Sequence, residues 1–73
     1  MNPHAVLNRD REEIRVPSPH GQPLLAYLAR RGVRGSIRTD RAGDLITLDG
    51  EPDPARVRVM LDDWERAPEP IRG

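Results

Sequence analysis

A few stretches of this sequence carry side chains that could do chemistry. Asp49-Gly50-Glu51-Pro52-Asp53 sets acidic groups at alternate positions, as the opening of a calcium loop does. Such a loop needs a bidentate Glu at its twelfth position, and counting from Asp49 that position is Met60. Asp49 therefore reads as a turn residue and Asp53 as a helix cap. Ser18-Pro19-His20-Gly21-Gln22 leads into a helix start, where main-chain N–H groups can hold an anion and His20 could donate a proton. Pro23 removes one of those N–H groups and no glycine-rich phosphate fingerprint accompanies it, so the segment reads as a turn bearing a surface His. Asp62, Asp63 and Glu65 point in different directions around one helix, with no nucleophile or base set beside them. Ser18 and Ser36 have no nucleophile signature around them. Cysteine is absent, which removes disulfides and thiolate zinc sites, and His4 and His20 cannot cage a metal alone. The expectation is a protein that is not an enzyme and uses no metal or cofactor.

Charge offers more. Twelve basic residues balance twelve acidic ones, so the chain as a whole does not advertise a polyanionic partner. All the basic residues are Arg. A GC-rich coding bias produces that pattern, and so does selection for bidentate contacts to carboxylate or phosphate. The distribution is uneven. Residues 30–41 hold Arg30, Arg31, Arg34, Arg38 and Arg41 against Asp40, a local charge of +4 (five less one). Residues 44–69 hold eight acidic residues against Arg56, Arg58 and Arg66, a local −5. Opposite stretches of this kind suit self-association and internal ion pairs alike. Exposed pairs are worth roughly 0–1 kcal/mol each, so they orient partners more than they bind them.

The elements that position these groups follow from period and punctuation. Glu13-Ile14-Arg15-Val16 alternates as a strand, closed by Pro17 and Pro19. Residues 23–31 read as a helix: Pro23 opens it, Leu24, Leu25 and Leu28 cluster on one side, and Gly32 suits the left-handed position beyond its end. Val33 should then fold back on Leu28, with Arg30 and Arg31 at the helix's negative end. Ser36–Thr39 and Leu45–Leu48 read as a hairpin turning through Asp40 to Asp44, with Ile46, Leu48 and Ile37 on one face. Asp53 and Pro54 start a second helix over 54–67, in which Val57, Met60, Leu61 and Trp64 form one stripe. Pro68 and Pro70 stop it, and a loose tail over 68–73 is expected. The domain proper is 13–67, preceded by an arm over 1–12.

The order is β-α-β-β-α. With a right-handed crossover, the hairpin returns the chain between the first two strands, giving order 1-3-2 with two helices on one face. The fold class expected is α+β, a two-layer sandwich. With no Phe, one Tyr and one Trp, its core must be built from Leu, Val, Ile and Ala. A chain this small buries only about 60% of the surface it exposes when unfolded, so packing needs a supplement.

From Ile14 to Trp64, about two thirds of the chain, the pattern of Leu24, Leu25, Leu28, Gly32, Val33, Ile37, Leu45, Ile46, Leu48, Val57 and Leu61 resembles small ferredoxin-like modules. It is most similar to the short PII-like signal-transducing domains. The resemblance implies a ferredoxin-like sheet and the sensing of a small ligand. A departure is the fourth strand those domains place after the second helix, which Pro68 and Pro70 do not allow. The first strand would then keep an open edge beside Ile14, and open edges recruit partners. Residues 5–8 can fill it as an extra N-terminal strand, turning through Asn8-Arg9-Asp10, or two copies can pair there; the first is favoured.

Arg34, Ser36 and Arg38 alternate opposite Ile37, so the helix-free face should carry Arg without the aromatics that stack RNA bases. The function expected is a small non-enzymatic protein-interaction or regulatory module, self-association included, with Arg34, Arg38, Arg41 and Ile14 as contact residues. The alternatives are a nucleic-acid-associated regulator using residues 30–41 and a small-ligand sensor of PII-like type. No apolar run approaches the ~20 residues of a membrane span and no signal peptide opens the chain, so the expected location is cytoplasmic, without membrane contact.

Overall fold

The computed structural model describes residues 3–8 and 10–66; Asn2, Arg9, Ala67 and the expected tail over 68–73 lie outside the described residues. The elements are β1 (Val6–Asn8), β2 (Glu13–Val16), α1 (Gly21–Ala29), β3 (Gly35–Asp40), β4 (Gly43–Leu48) and α2 (Pro54–Arg66). They form a two-layer α+β domain with a four-stranded antiparallel sheet in the order β1-β2-β4-β3. β4 lies between β2 and β3 as the crossover argument requires. The arm supplies the extra strand, with Leu7 opposite Ile14. No helix among the described residues is long and apolar enough to cross a membrane.

The helices differ in how visible their boundaries are in sequence. α2 starts at Pro54 as expected, capped by the Asp53 carboxylate accepting the Ala55 N–H at 3.0 Å. Its stripe of Val57, Met60, Leu61 and Trp64 is buried. α1 starts two residues earlier than its sequence suggests. No side chain caps it locally; instead Asp44, at the start of β4, accepts the Gly21 N–H at 2.8 Å. Pro23 still falls in the first turn, where a missing N–H has no helical partner to lose. Gly21 permits that approach: a Cβ there would meet Asp44 and Ile37 side-chain atoms at 2.5 Å.

At its far end α1 closes as the sequence predicts. Gly32 has φ +88°, the Val33 N–H donates to the Leu28 carbonyl at 3.0 Å and the Gly32 N–H to the Ala29 carbonyl at 3.1 Å. These two bonds are the Schellman pair, and they bring Val33 back onto the core beside Leu28. Arg31 lies over the Tyr27 ring, 3.7 Å from its centre.

Register then sorts the strands into two faces. Ile14 opposes Ile46, which opposes Ile37, and Leu7 extends the row at the other end. That face meets the helices, and Ile14, Val16, Leu24, Leu28 and Ile46 have no exposed surface. Burying a Leu or Ile side chain is worth about 1.5–3 kcal/mol, so this aliphatic cluster carries the fold without Phe.

Candidate interaction surface

Among the described residues, no helix lies over the other face of the sheet. Two cross-strand rows define it: Val6, Arg15, Leu45 and Arg38, then Asn8, Glu13, Thr47 and Ser36. Leu45 is 8% exposed despite lying on this side, because Arg15 and Arg38 stand on either side of it and long Arg stems cover apolar neighbours. Arg15 reaches across β4 to Asp40, with Nη1 2.7 Å from Oδ1. The same Oδ1 accepts the Ala42 N–H at 2.9 Å, which holds the β3–β4 turn. The Arg15 bond, then the Ala42 bond, keep the Asp40 carboxyl below its usual range; burial opposes them, and the Arg15 and Arg38 charges assist.

Three of the four residues expected to make contacts lie along β3 and its ends. Arg38 is exposed within the strand and Arg41 is exposed in the turn after it. Arg34 is exposed just before the strand, and its carbonyl accepts the Asp49 N–H at 2.8 Å, so the ladder with β4 runs one residue past the strand's start. Ile14 is corrected: it has no exposed surface, and β2 is paired with β1 on one side and β4 on the other. The edge expected beside Ile14 is filled by the arm, so among the described residues the long edge without a neighbouring strand is that of β3.

The Asp49–Arg34 bond also fixes which way the β3 main chain faces. Antiparallel ladders alternate between bonded and non-bonded pairs, so Arg34, Ser36, Arg38 and Asp40 turn their N–H and C=O groups toward β4. Gly35, Ile37 and Thr39 turn theirs outward. No strand lies beyond them among the described residues.

No protein-family model, curated protein or solved structure matches this chain.

Two further clusters hold chemically capable groups, and both have structural work. Asp44 is 2% exposed and accepts the Thr39 hydroxyl at 2.7 Å and the Gly21 N–H at 2.8 Å. Those bonds lead in holding its carboxyl below the usual range against the effect of burial, with smaller help from Ser18 and His20. Ser18 and His20 thus each act on the Asp44 carboxylate. The bonds Asp44 makes to Gly21 and Thr39 make it the cap of α1. Glu65 accepts the Ala5 N–H at 2.8 Å and lies 3.0 Å from His4 Nδ1, tying the arm to the end of α2.

Arg31, Asp49, Asp53 and Arg56 line an open groove of about 390 Å³ between the two helix ends, with charges of both signs. Among the described residues, no three His, Asp or Glu side chains gather closely enough to hold a metal ion.

Proposed function

We propose that this chain is a small non-enzymatic interaction module that docks protein partners along the β3 edge and the Arg-bearing sheet face beside it. One observation carries the reading. β3 is six residues long, unpaired on one side among the described residues, carries exposed Arg38 and is flanked by exposed Arg34 and Arg41. An exposed edge of that length is a template for an added strand, and flanking charges decide which strands are accepted. Arg is suited to the task because its guanidinium grips carboxylates in two-point fashion.

Size-exclusion chromatography with light scattering over a concentration range, paired with capture from cell lysate on immobilised protein, tests the proposal. Self-association or specific capture, lost in an Arg34→Glu/Arg38→Glu variant, supports it. A strict monomer that captures nothing contradicts it. Exposure of the three Arg side chains on one strand and its turn also supports a second reading, contact with nucleic-acid phosphates. That reading requires affinity for DNA or RNA falling steeply with salt, and absence of binding at low salt ends it.

A further inference from the structure

We infer that the partner of the β3 edge is the β3 edge of a second copy, paired antiparallel about a two-fold axis at Ile37. The inference rests on the docking reading above and adds the identity and register of the occupant. Two antiparallel edges can bond only where outward-facing residues oppose outward-facing residues, which here means Gly35, Ile37 and Thr39. Symmetric registers that use most of the strand are centred on Ser36, Ile37 or Arg38.

Charge separates the three. Centring on Ser36 sets Arg34 opposite Arg38 of the second copy, twice by symmetry. Centring on Arg38 sets the two Arg38 side chains opposite each other. Like charges directly opposed across strands destabilise a pairing. Centring on Ile37 sets Arg34 opposite Asp40 of the second copy, again twice, and Arg38 opposite Ser36. It is the one register of the three that opposes unlike charges.

Asp40 is prepared for this. Arg15 and Ala42 both bond its Oδ1, and Oδ2 accepts no hydrogen bond among the described residues. On the helix side, half-buried Ile37 would meet its own copy and complete its burial. Gly35, Ile37 and Thr39 would supply about six main-chain hydrogen bonds between copies. A two-fold contact of this kind is self-complementary and closed, so it yields dimers and not filaments.

Complementary charge reversal tests the register. In sedimentation velocity, Arg34→Asp alone and Asp40→Arg alone each set like charges opposite one another in their homodimers, and each should weaken self-association roughly tenfold. Mixed in equal amounts, the two variants oppose unlike charges at both positions, and dimerisation should return to within about threefold of wild type. Circular dichroism establishes that each variant is folded. Should Asp40→Arg disturb the turn, Arg34→Asp can be compared with Arg34→Lys, which keeps the charge and should keep the dimer. Three results overturn the inference: a wild-type monomer at the highest soluble concentration, a dimer indifferent to both reversals, or a mixture that does not recover. A wild-type monomer that still captures a protein through Arg34 and Arg38 overturns self-pairing alone. A monomer that captures nothing overturns the docking reading as well.

Discussion

The two edges of this sheet are managed in opposite ways. β1 is three residues long, and the chain just before it is tied to α2 through Ala5, His4 and Glu65. β3 is six residues long and carries exposed Arg38 and Asp40, with exposed Arg34 and Arg41 just beyond its ends. The first edge is short and anchored; the second turns outward the N–H and C=O groups of Gly35, Ile37 and Thr39. The contrast shows how a small α+β domain can close one side of its sheet with its own arm and leave a longer strand at the other.

The largest effect that would sharpen this contrast comes from the row the two edges share. Ile14 is fully buried at the β1 side, whereas Ile37 is only partly buried at the free edge. Ile14→Ala should cost about 2–5 kcal/mol in denaturant unfolding, enough to unfold a domain this small, and Ile37→Ala about 1 kcal/mol. Equal costs would mean that the β3 edge is packed as tightly as the interior.

Next comes the cap joining β4 to α1. Asp44→Ala strips the Gly21 N–H and the Thr39 hydroxyl of their acceptor at once. Its thermal midpoint should fall well below that of Asp40→Ala, which loses only surface contacts. The reverse order would show that the Arg15–Asp40 pair, not the buried cap, organises the β3 side.

A smaller effect separates the arm from the rest. Glu65→Gln should speed hydrogen exchange at the β1 amides roughly tenfold and leave the β3–β4 ladder unchanged. Acid should act similarly. Burial pushes the Glu65 carboxyl up, but the Ala5 bond, the His4 bond and the nearby His4 and Arg58 charges outweigh it and leave it below its ordinary value. A carboxyl lowered on folding stabilises the fold fully above its unfolded value, here near 4.5, and that contribution fades as the pH falls through the folded value. Asp40 and Asp44, lowered from 3.8, follow the same sign slightly further into acid. Unfolding free energy should therefore decline as pH drops below about 5. A flat acid profile would remove these three carboxylates from the account.

The smallest effect on folding belongs to the free edge. Arg34→Ala should change stability by no more than about 0.5 kcal/mol, because its side chain is exposed, and Arg38→Ala by about 1 kcal/mol at most, because its stem covers Leu45. Binding, not folding, should suffer.

Much of this architecture is legible in the sequence because it is encoded locally. The α2 stripe, the Asp53–Pro54 start, the Gly32 reversal and the period-two alternation of β2 each lie within a few residues, and the crossover rule then orders the strands. The remaining contacts are non-local. Asp44 caps a helix that begins 23 residues earlier, Arg15 pairs with Asp40 across 25 residues, and Ala5 meets Glu65 across 60. Read locally, Asp44 and Asp40 are turn acids and Ile14 sits beside a vacant edge. Once the arm is placed, Ile14 becomes core and the open edge moves to β3. The one local sign of the polar network was Arg15, alternating with Ile14 and Val16 and so bound to the helix-free face.

Amide exchange along β3, followed by NMR as protein concentration rises, tests the central claim most directly. The account predicts that Ser36 and Arg38 are protected throughout, while Gly35, Ile37 and Thr39 exchange freely in dilute solution and become protected together as copies pair. Outward amides that stay fast at every concentration, or protection without this alternation, would contradict it.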